Sequence, residues 1–169
     1  MNGNLLILGA GQYGHVVKEI AEDMKLFDKI AFLDDERSGE NIVGKLNKVN
    51  DIRDEYKYAI PAIGNSECRM KILTELKNIG YTIPCIISPY SYVSKSASIG
   101  EGVVIEPLAG VHSNVTIHDG TYISMGAIVN HDACVMKCSH IDNNAVVMSG
   151  VIVKALKKIQ PGEVVKNCK

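Results

Sequence analysis

The chain has 169 residues, of which 46% are hydrophobic and 22% are charged, and its formal net charge at pH 7 is −1. This composition is typical of a soluble globular protein, and the nearly balanced charge argues against nucleic acid or an anionic membrane as a partner. No stretch approaches the ~20 apolar residues of a membrane span, and the N-terminus lacks the basic start and apolar core of a signal peptide, so we expect a cytoplasmic protein.

The first half of the chain predicts strands that alternate with helices. Short apolar runs that stop at glycine or acidic residues are typical of buried parallel strands, and apolar residues at helical spacing indicate helices that pack on a sheet. Ser66 is predicted as the N-cap of the second helix, and Gly80 as the residue that ends it. The predicted strands span residues 5–8, 29–33, 58–63 and 81–87, and the predicted helices span residues 13–24 and 67–79.

This order of elements predicts a parallel sheet with right-handed crossovers. Residues 1–88 are too few for a complete doubly wound domain, which contains two mononucleotide-binding halves. We therefore expect an N-terminal α/β domain over residues 1–88 that corresponds to one Rossmann-like half.

A glycine-rich loop follows the first predicted strand. Residues Gly9 to Gly14 satisfy the pattern GxGxxG between a strand and a helix, where glycines permit a tight turn and helix N-terminal amides attract phosphate. Asp34 lies at the end of the second predicted strand, where an acidic residue can bond a ribose hydroxyl. The pattern is compatible with NAD, with a nucleotide-linked sugar, or with a packing turn that binds nothing. The missing second half argues against NAD.

The second half of the chain, residues 89–169, repeats every six residues. Beginning at Ile87, fourteen consecutive positions at this spacing hold Ile or Val. The residue four places after each of them is usually small, a series that fails at Lys157 and Glu163. The Ile and Val positions are 87, 93, 99, 105, 111, 117, 123, 129, 135, 141, 147, 153, 159 and 165.

A period of six residues suits neither an α-helix nor a uniformly alternating strand. It suits a short strand followed by a sharp turn, and three such units make one triangular coil whose axis is filled by β-branched side chains. Stacked coils then bury one another's faces. We therefore predict a parallel β-helix of hexapeptide repeats with the small residues at its corners. A β-sandwich is disfavoured, because its strands and loops vary in length.

Four of the five histidines lie in the repeats, and His131 is distinguished by the Asp132 that follows it. A neutral imidazole at an exposed corner can take a proton from an amine or a hydroxyl, and a neighbouring carboxylate can orient the ring. His140 ends its hexad, and we expect its side chain to point outward. His112 and His118 are interpreted as solvated surface residues.

The five cysteines do not fit a disulfide framework, because their number is odd and their spacing is irregular. Cys134 and Cys138 are close in sequence, but no second pair accompanies them, as a structural zinc site would require. We expect free thiols in a reducing compartment and no bound metal.

The whole chain resembles the NeuD/PglD-type sugar acetyltransferases, a family that includes sialic acid O-acetyltransferases and N-acetyltransferases of UDP-4-amino-sugars. The matching segments are the loop Gly9–Gly14, Leu33-Asp34-Asp35, Ala62-Ile63-Gly64-Asn65 with Arg69, Asn130-His131-Asp132 and Ser139-His140-Ile141. The resemblance implies a nucleotide-sugar-binding domain over residues 1–88 and a left-handed β-helix acyltransferase domain over residues 89–169. It also implies a homotrimer that uses acetyl-CoA to acetylate an amino or hydroxyl group of a nucleotide-activated amino sugar or sialic acid, in bacterial surface glycan biosynthesis.

The resemblance further implies roles for individual residues. His131 corresponds to the family's catalytic base, Asp132 to the carboxylate beside it, and His140 to a second active-site histidine near the acetyl group. Ser149 and Gly150 fall where a small-residue turn lies against the thioester of acetyl-CoA. The positions implied to hold the nucleotide part of the acceptor are Gly9, Gly11, Tyr13, Asp34, Asp35 and Asn65.

Two departures from the family pattern leave alternatives open. Tyr13 stands where the family's glycine loop usually carries His. Only 29 residues follow His140, whereas the family typically has about two further coils, so we expect a shortened β-helix. The alternatives are a sugar-nucleotide-binding protein that has lost CoA binding and, less favoured, an NAD-binding protein.

The sequence also predicts a mechanism and an assembly. No Cys or Ser lies in a nucleophile motif, so we expect direct attack of the acceptor on acetyl-CoA without an acyl-enzyme. His131 and His140 are nine residues apart, one and a half hexads, which places them on different sides of a triangular coil. A site that uses both histidines would then lie between the subunits of a homotrimer.

Overall fold

The computed structural model describes residues 3–167, and the chain divides into two compact units, Met1–Pro84 and Cys85–Lys169. The division lies slightly before the boundary that we expected between residues 88 and 89. The reason is that Ile86–Ile87 already forms a strand that pairs with Val104–Ile105, and therefore belongs to the repeats.

The first unit contains a four-stranded parallel sheet with the strand order β3-β2-β1-β4. β1 and β4 are buried along their whole length, as is usual for parallel strands in α/β proteins. Within residues 3–167, neither helix has the length and apolar character that a membrane crossing requires. The elements are β1 (Leu5–Leu8), α1 (Gln12–Met24), β2 (Ile30–Leu33), β3 (Ile42–Gly44), a 3₁₀ turn (Leu46–Lys48), β4 (Tyr58–Pro61) and α2 (Ser66–Ile79).

Three of the four predicted strands and both predicted helices of this unit are confirmed, and the strand predicted at residues 81–87 is wrong. In that segment Thr82 makes only an isolated bridge with Tyr58. Pro84 has no N–H with which to continue the ladder, and the two residues at the end of the segment pair within the other unit. The sheet gains its fourth strand from β3, which the sequence did not predict.

The two ends of α2 follow from local capping. Its N-cap is Asn65 rather than the predicted Ser66, because the Asn65 side-chain oxygen accepts a hydrogen bond from the backbone N–H of Cys68 at 2.9 Å. Gly80 ends the helix, as predicted, with a φ of 94° that glycine adopts without steric cost.

The second unit confirms the six-residue repeat. Each Ile or Val of the periodic series is the second residue of a two-residue strand. Strands three hexads apart pair in parallel, as Thr116 does with Cys134, and a left-handed β-helix with three sheets results. The strands β5 to β18 are Ile86–Ile87, Tyr92–Val93, Ser98–Ile99, Val104–Ile105, Gly110–Val111, Thr116–Ile117, Tyr122–Ile123, Ile128–Val129, Cys134–Val135, His140–Ile141, Val146–Val147, Ile152–Val153, Lys158–Ile159 and Val164–Val165.

The three sheets form the three sides of the triangular coil. The first sheet contains β5, β8, β11, β14 and β17, the second β6, β9, β12, β15 and β18, and the third β7, β10, β13 and β16. From Ile105 onward the periodic Ile and Val side chains are at most 1% exposed and form one continuous core. Full burial of one such side chain contributes about 1.5–3 kcal/mol, so stability is distributed along the axis.

The corners of the coil are formed by residues in the left-handed region of backbone space. We expected the small residues to form the bends, and this prediction is wrong by one position. The small residues, such as Ala109 and Ala127, follow the bend and are buried. The corner residues have φ between 53° and 71° and occupy every sixth position: Gly102, Leu108, Asn114, Gly120, Gly126, Asp132, Cys138, Asn144, Gly150, Leu156 and Gly162.

The cysteines and other metal-binding side chains form no cluster in the described part of the chain. Cys68, Cys85, Cys134 and Cys138 are free thiols, and Cys168 lies outside the described residues. No group of three or more His, Cys, Asp or Glu side chains within residues 3–167 is arranged to hold a metal ion.

Candidate active site

The glycine-rich loop joins β1 to α1, and only some of its glycines are required by the backbone. A Cβ atom on Gly14 would collide with the carbonyl oxygen of Gly9, and Gly9 itself has a φ of 108°. Gly11 is different, since no described atom outside its immediate chain neighbours lies within 4 Å of the place its Cβ would take. Gly11 therefore leaves open space at the N-terminus of α1, where an anionic group is favoured.

Asp34 fastens this loop to the end of β2. Its Oδ2 accepts a hydrogen bond from the N–H of Ala10 at 2.7 Å, and its Oδ1 accepts from the N–H groups of Glu36 and Arg37, each at 2.9 Å. Partial burial acts to raise the pKa of Asp34, but these hydrogen bonds outweigh it and hold the pKa below its ordinary value. We expected this carboxylate to bond a ribose; in the structure it binds the protein's own backbone.

A cavity of about 500 Å³ opens where β1, β2 and β4 end. Ligands of open α/β sheets bind at this edge, outside the carboxyl ends of the strands. Asp35 lines the cavity, and its Oδ1 accepts a hydrogen bond from the N–H of Leu46 at 3.0 Å. Asn65 is not among the lining residues, because its side chain caps α2. The expected acceptor-binding residues in the lining are Gly9, Gly11, Tyr13, Asp34 and Asp35.

Arg69 holds the loop that follows β4. The side chain is completely buried, and its Nη1 donates hydrogen bonds to the carbonyl oxygens of Ile63 at 2.9 Å and Gly64 at 3.2 Å. Such acceptors compensate the cost of burying a guanidinium group. Because Ile63 and Gly64 line the cavity, the hydrogen bonds from Arg69 hold this part of the cavity wall in place. The sequence motif that contains Arg69 did not predict this role.

His131 lies at the corner between the second and third sheets, after β12 and before β13. Its Nδ1 is 2.8 Å from Oδ2 of Asp132, and its Nε2 is 3.0 Å from Oγ of Ser149. The side chains of His131 and Asp132 are 55% and 58% exposed. The predicted pairing of this histidine with its neighbouring carboxylate is confirmed, and the pair is accessible.

Asp132 occupies the bend of this corner, with a φ of 61°. Its Oδ1 accepts a hydrogen bond from Nδ2 of Asn114, one coil earlier, at 3.2 Å. Hydrogen bonds with His131 and with Asn114 hold the pKa of Asp132 below its ordinary value. An ionised carboxylate keeps the imidazole proton on Nδ1, which leaves the lone pair of Nε2 available.

Ser149 lies one coil after His131, 18 residues further along the chain. The backbone ties the two turns together, because the N–H of Gly150 donates to the carbonyl oxygen of His131 at 3.1 Å. Ser149 was expected beside the thioester, but its contact with the imidazole was not predicted. The signal was present: Ser149 has the same place in its hexad as His131, three hexads later.

His140 is enclosed, unlike His131. It precedes the axis residue Ile141 in β14 and so points away from the axis, as expected, but only 10% of its side chain is exposed. Its Nε2 is 2.9 Å from Oγ of Ser124, and its ring packs edge-on against Tyr122 at 5.9 Å between centroids.

Asp142 and Lys158 lie beside His140. Asp142 Oδ1 is 3.9 Å from Nε2 of His140, and Oδ2 accepts a hydrogen bond from Lys158 at 2.9 Å. Partial burial acts to raise the pKa of Asp142, but the hydrogen bond from Lys158 helps hold it below its ordinary value. His140 is thus anchored in a polar network on the first sheet.

The structure does not bring the two histidines together within one chain. His131 lies at the corner that joins the second and third sheets, and His140 lies on a strand of the first sheet. In a triangular coil this corner is opposite the first sheet. The prediction that they occupy different sides is therefore confirmed.

Two family models match the chain. Residues 4–76 match the model described as PglD N-terminal domain, and residues 96–131 match the model described as bacterial transferase hexapeptide, six repeats. Together they cover the glycine-rich loop, the residues that line the cavity and the repeats from residue 96 to His131.

Individual proteins of known structure or activity are also similar. A GDP-perosamine N-acetyltransferase from Escherichia coli is 25% identical, over 88% of this chain and 76% of its own length. The acetyltransferase domain of PglB from Neisseria gonorrhoeae has a TM-score of 0.89 and 25% identity, covering 98% of this chain and 92% of that one. Its complex with acetyl coenzyme A has a TM-score of 0.80 and 27% identity, covering 97% and 88%.

A third similar protein is PerB from Caulobacter crescentus, in a structure with CoA and GDP-perosamine. Its TM-score is 0.83 with 22% identity, and the match covers 98% of this chain and 90% of that one. At this identity the likeness establishes the fold.

Proposed function

We propose that this chain is a sugar acetyltransferase of the NeuD/PglD type, and that it transfers the acetyl group of acetyl-CoA to an amino group of a nucleotide-linked amino sugar. The choice of an amine over a hydroxyl is supported by the similar GDP-perosamine N-acetyltransferase. The observation that carries the proposal is the accessible His131, whose ring is held by Asp132.

The imidazole of His131 is arranged as a general base. Asp132 keeps the ring proton on Nδ1, so Nε2 can accept a proton. An acceptor amine takes the place of the Ser149 hydroxyl beside Nε2. It gives up a proton to Nε2 as it attacks the acetyl carbon. The N–C bond forms, the C–S bond breaks, and the proton passes from Nε2 to the departing CoA thiolate.

The nucleotide part of the acceptor is proposed to bind in the cavity of the first unit. Gly11 leaves room for a phosphate group at the N-terminus of α1. Tyr13 and Asp35 line the same cavity and can meet the sugar or base of the nucleotide. Asp34 acts there as a positioning residue, since its carboxylate holds the N–H groups of Ala10, Glu36 and Arg37.

Acetyl-CoA is proposed to reach the corner from the side of Ser149 and Gly150. Both residues are exposed, and Ser149 lies within hydrogen-bond distance of the base, so a thioester placed against this turn meets the acceptor beside Nε2. We also propose that the protein works in the cytoplasm, where acetyl-CoA is available.

A homotrimer is proposed because one chain separates His131 from His140 and leaves apolar residues exposed. Tyr92, Ile128 and Val164 on the second sheet are 64%, 37% and 47% exposed, an unusual display for the face of a solenoid. Packing such faces around a threefold axis covers them and lets His131 of one subunit lie near His140 of the next.

Two measurements test the assembly. Light scattering should give about three times the 18.4 kDa of one chain, and a monomer at working concentration contradicts a shared site. Mixing the inactive His131→Ala and His140→Ala proteins under conditions that exchange subunits should restore partial activity. No recovery after proven exchange would place each site within one chain.

The acetyl transfer is tested with nucleotide-linked sugars that carry an amine, each paired with the hydroxyl analogue. We expect thiol release and an acetylated product with the amines. His131→Ala should lower kcat by ~10²–10⁴-fold with little change in Tm, because this exposed side chain lies outside the axis core. His118→Ala is the control and should retain activity.

Other outcomes separate the alternatives. Near-normal turnover by a folded His131→Ala protein would remove His131 from the mechanism. Binding of a nucleotide sugar without any turnover would indicate a sugar-nucleotide-binding protein. Saturable binding of NADH in the cavity of the first unit would favour the NAD alternative.

A further inference from the structure

The contacts of His131 extend beyond what a base for an external acceptor requires. Its two ring nitrogens lie between a carboxylate and a hydroxyl: Asp132 Oδ2 is 2.8 Å from Nδ1, and Ser149 Oγ is 3.0 Å from Nε2. A hydroxyl, an imidazole and a carboxylate in this order are the arrangement that activates a serine as a nucleophile. Such arrangements are recognised by geometry rather than by sequence order.

We propose that Ser149 is a nucleophile, and that without an acceptor sugar the protein acetylates this serine and slowly hydrolyses acetyl-CoA. This inference rests on the proposed delivery of acetyl-CoA to the His131 corner. It adds an activity to the proposed transfer, because the acetyl group ends on a residue of the chain and then on water.

The backbone holds the serine and the histidine in adjacent turns. Ser149 and His131 have equivalent places in consecutive coils, and the N–H of Gly150 donates to the carbonyl oxygen of His131 at 3.1 Å. Below them, the N–H of Asp132 donates to the carbonyl oxygen of Ser113 at 3.1 Å, and Asn114 holds the Asp132 carboxylate. The three groups are therefore fixed by the stacking of coils, which is a rigid support for a nucleophile.

The turn also offers a donor for the negative charge that develops on the thioester oxygen. Among the described residues, no atom accepts a hydrogen bond from the backbone N–H of Ser149. An N–H of the nucleophilic residue itself is one of the donors used in oxyanion holes. Stabilising this oxygen is commonly the largest contribution to acyl transfer.

The chemistry balances with water as the only co-reactant. The Ser149 hydroxyl loses its proton to Nε2 of His131, its oxygen bonds the acetyl carbon, and the C–S bond breaks. The proton then passes to sulfur, and free CoA leaves. A water molecule next gives a proton to Nε2 and attacks the ester, so that acetic acid leaves and the serine oxygen recovers its proton from the imidazolium.

An acceptor amine and the Ser149 hydroxyl compete for the same lone pair on Nε2. The hydroxyl holds this place in the free protein, and an acceptor must displace it to be deprotonated. We therefore expect acetyl-CoA hydrolysis to fall as the acceptor sugar is added, while total CoA release rises.

The test follows CoA release and the intact protein mass after mixing with acetyl-CoA alone. Wild type should release CoA and show a protein heavier by one acetyl group, with peptide mapping placing the group on Ser149. Ser149→Ala should lose the adduct. The ratio of its CoA release without acceptor to its CoA release with acceptor should be ~10²-fold or more below the wild-type ratio. Ser113→Ala, at the equivalent place one coil before His131, is the matched control and should retain both.

The outcomes distinguish this inference from the proposed transfer. If wild type acetylates an amino sugar but shows neither adduct nor release without it, Ser149 is not a nucleophile and the proposed function stands. If Ser149→Ala hydrolyses acetyl-CoA like wild type, Ser149 is not the nucleophile, and acetylation of the amino sugar decides the proposed function separately. If release and adduct occur but no sugar is acetylated, the nucleophile stands and the proposed transfer fails. Circular dichroism of each variant shows that a loss of activity is not a loss of fold.

Discussion

The two units of this chain differ in whether the same residues support both the fold and the candidate site. In the first unit, single contacts carry both fold and site: Gly14 packs on Gly9, Asp34 holds the glycine loop, and Arg69 supports the cavity wall. In the solenoid, the side chains that carry the fold lie on the axis, whereas His131 lies at an exposed corner. We therefore expect substitutions at Gly14, Asp34 or Arg69 to affect fold and site together, whereas a substitution of His131 should affect the site alone.

The largest expected effect lies in the glycine loop. Gly14→Ala should reduce the free energy of unfolding by about 3 kcal/mol, because its Cβ meets the backbone oxygen of Gly9, which cannot move alone. Gly11→Ala is the matched variant: its Cβ enters open space, so stability should fall by less than about 1 kcal/mol while KM for the acceptor rises. Urea denaturation and steady-state kinetics measure both. Equal losses of stability in the two variants would contradict the distinction between a packed Gly14 and an unpacked Gly11.

A smaller effect is expected at Asp34, and it depends on pH. The folded-state pKa of Asp34 lies below its ordinary value, so its stabilisation is present above the unfolded pKa and is lost as pH falls through the folded pKa. Asp34→Asn should cost about 1.5 kcal/mol at pH 7 after allowance for solvent screening. The difference from wild type should shrink as the pH falls below about 4.

Asp28→Asn provides the control for this prediction. The carboxylate of Asp28 makes no hydrogen bond within residues 3–167, so its replacement should cost little stability at pH 7. Thermal unfolding between acidic and neutral pH measures both variants. A constant difference between wild type and Asp34→Asn across that range would show that the charge of Asp34 does not hold the loop.

On the solenoid axis, a single substitution should cost less. Ile141 is completely buried, and Ile141→Val should reduce the free energy of unfolding by about 1 kcal/mol, since Val occupies many equivalent positions. Activity of the folded protein should persist, because the site lies outside the axis. A loss as large as that of Gly14→Ala would break the contrast between the two units.

The smallest expected effect is a gain of stability at one corner. Leu108 is 70% exposed and has a φ of 63°, which strains a leucine. Leu108→Asn should add about 0.5 kcal/mol to the free energy of unfolding, because asparagine tolerates this conformation. Leu108→Val should lower it, since a β-branched residue is more strained there. The reverse order in thermal melts would show that backbone strain does not govern the corners.

The sequence predicted the elements whose apolar pattern is strong and missed those that depend on backbone geometry. The repeat of Ile and Val was sufficient for the three-sided coil, because each residue of the series occupies one equivalent place. The corner positions hold Gly, Leu, Asn, Asp and Cys, and no single residue type marks them. β3 has three partly exposed residues and no apolar alternation, so neither its existence nor its place at the sheet edge was predictable.

The candidate site divides in the same way. The contact between His131 and Asp132 follows from their adjacency at a bend, and it was predicted. The contact of His131 with Ser149 depends on the stacking of coils, and it becomes visible only when the spacing of 18 residues is applied to side chains outside the axis. Asp34 was predicted at the right edge of the sheet, but its hydrogen bonds with backbone N–H groups depend on loop geometry.

The spacing between paired strands also determines which changes of chain length the solenoid can accept. Thr116 pairs with Cys134, and Cys134 with Ile152, at steps of 18 residues. An insertion of one whole coil returns every later residue to its original side of the triangle. An insertion of only one hexad moves every later residue to the next side of the triangle. If it lay between His131 and Ser149, Ser149 would no longer stack on the corner of His131. Duplication can therefore lengthen this protein without loss of its chemistry only in steps of one complete coil.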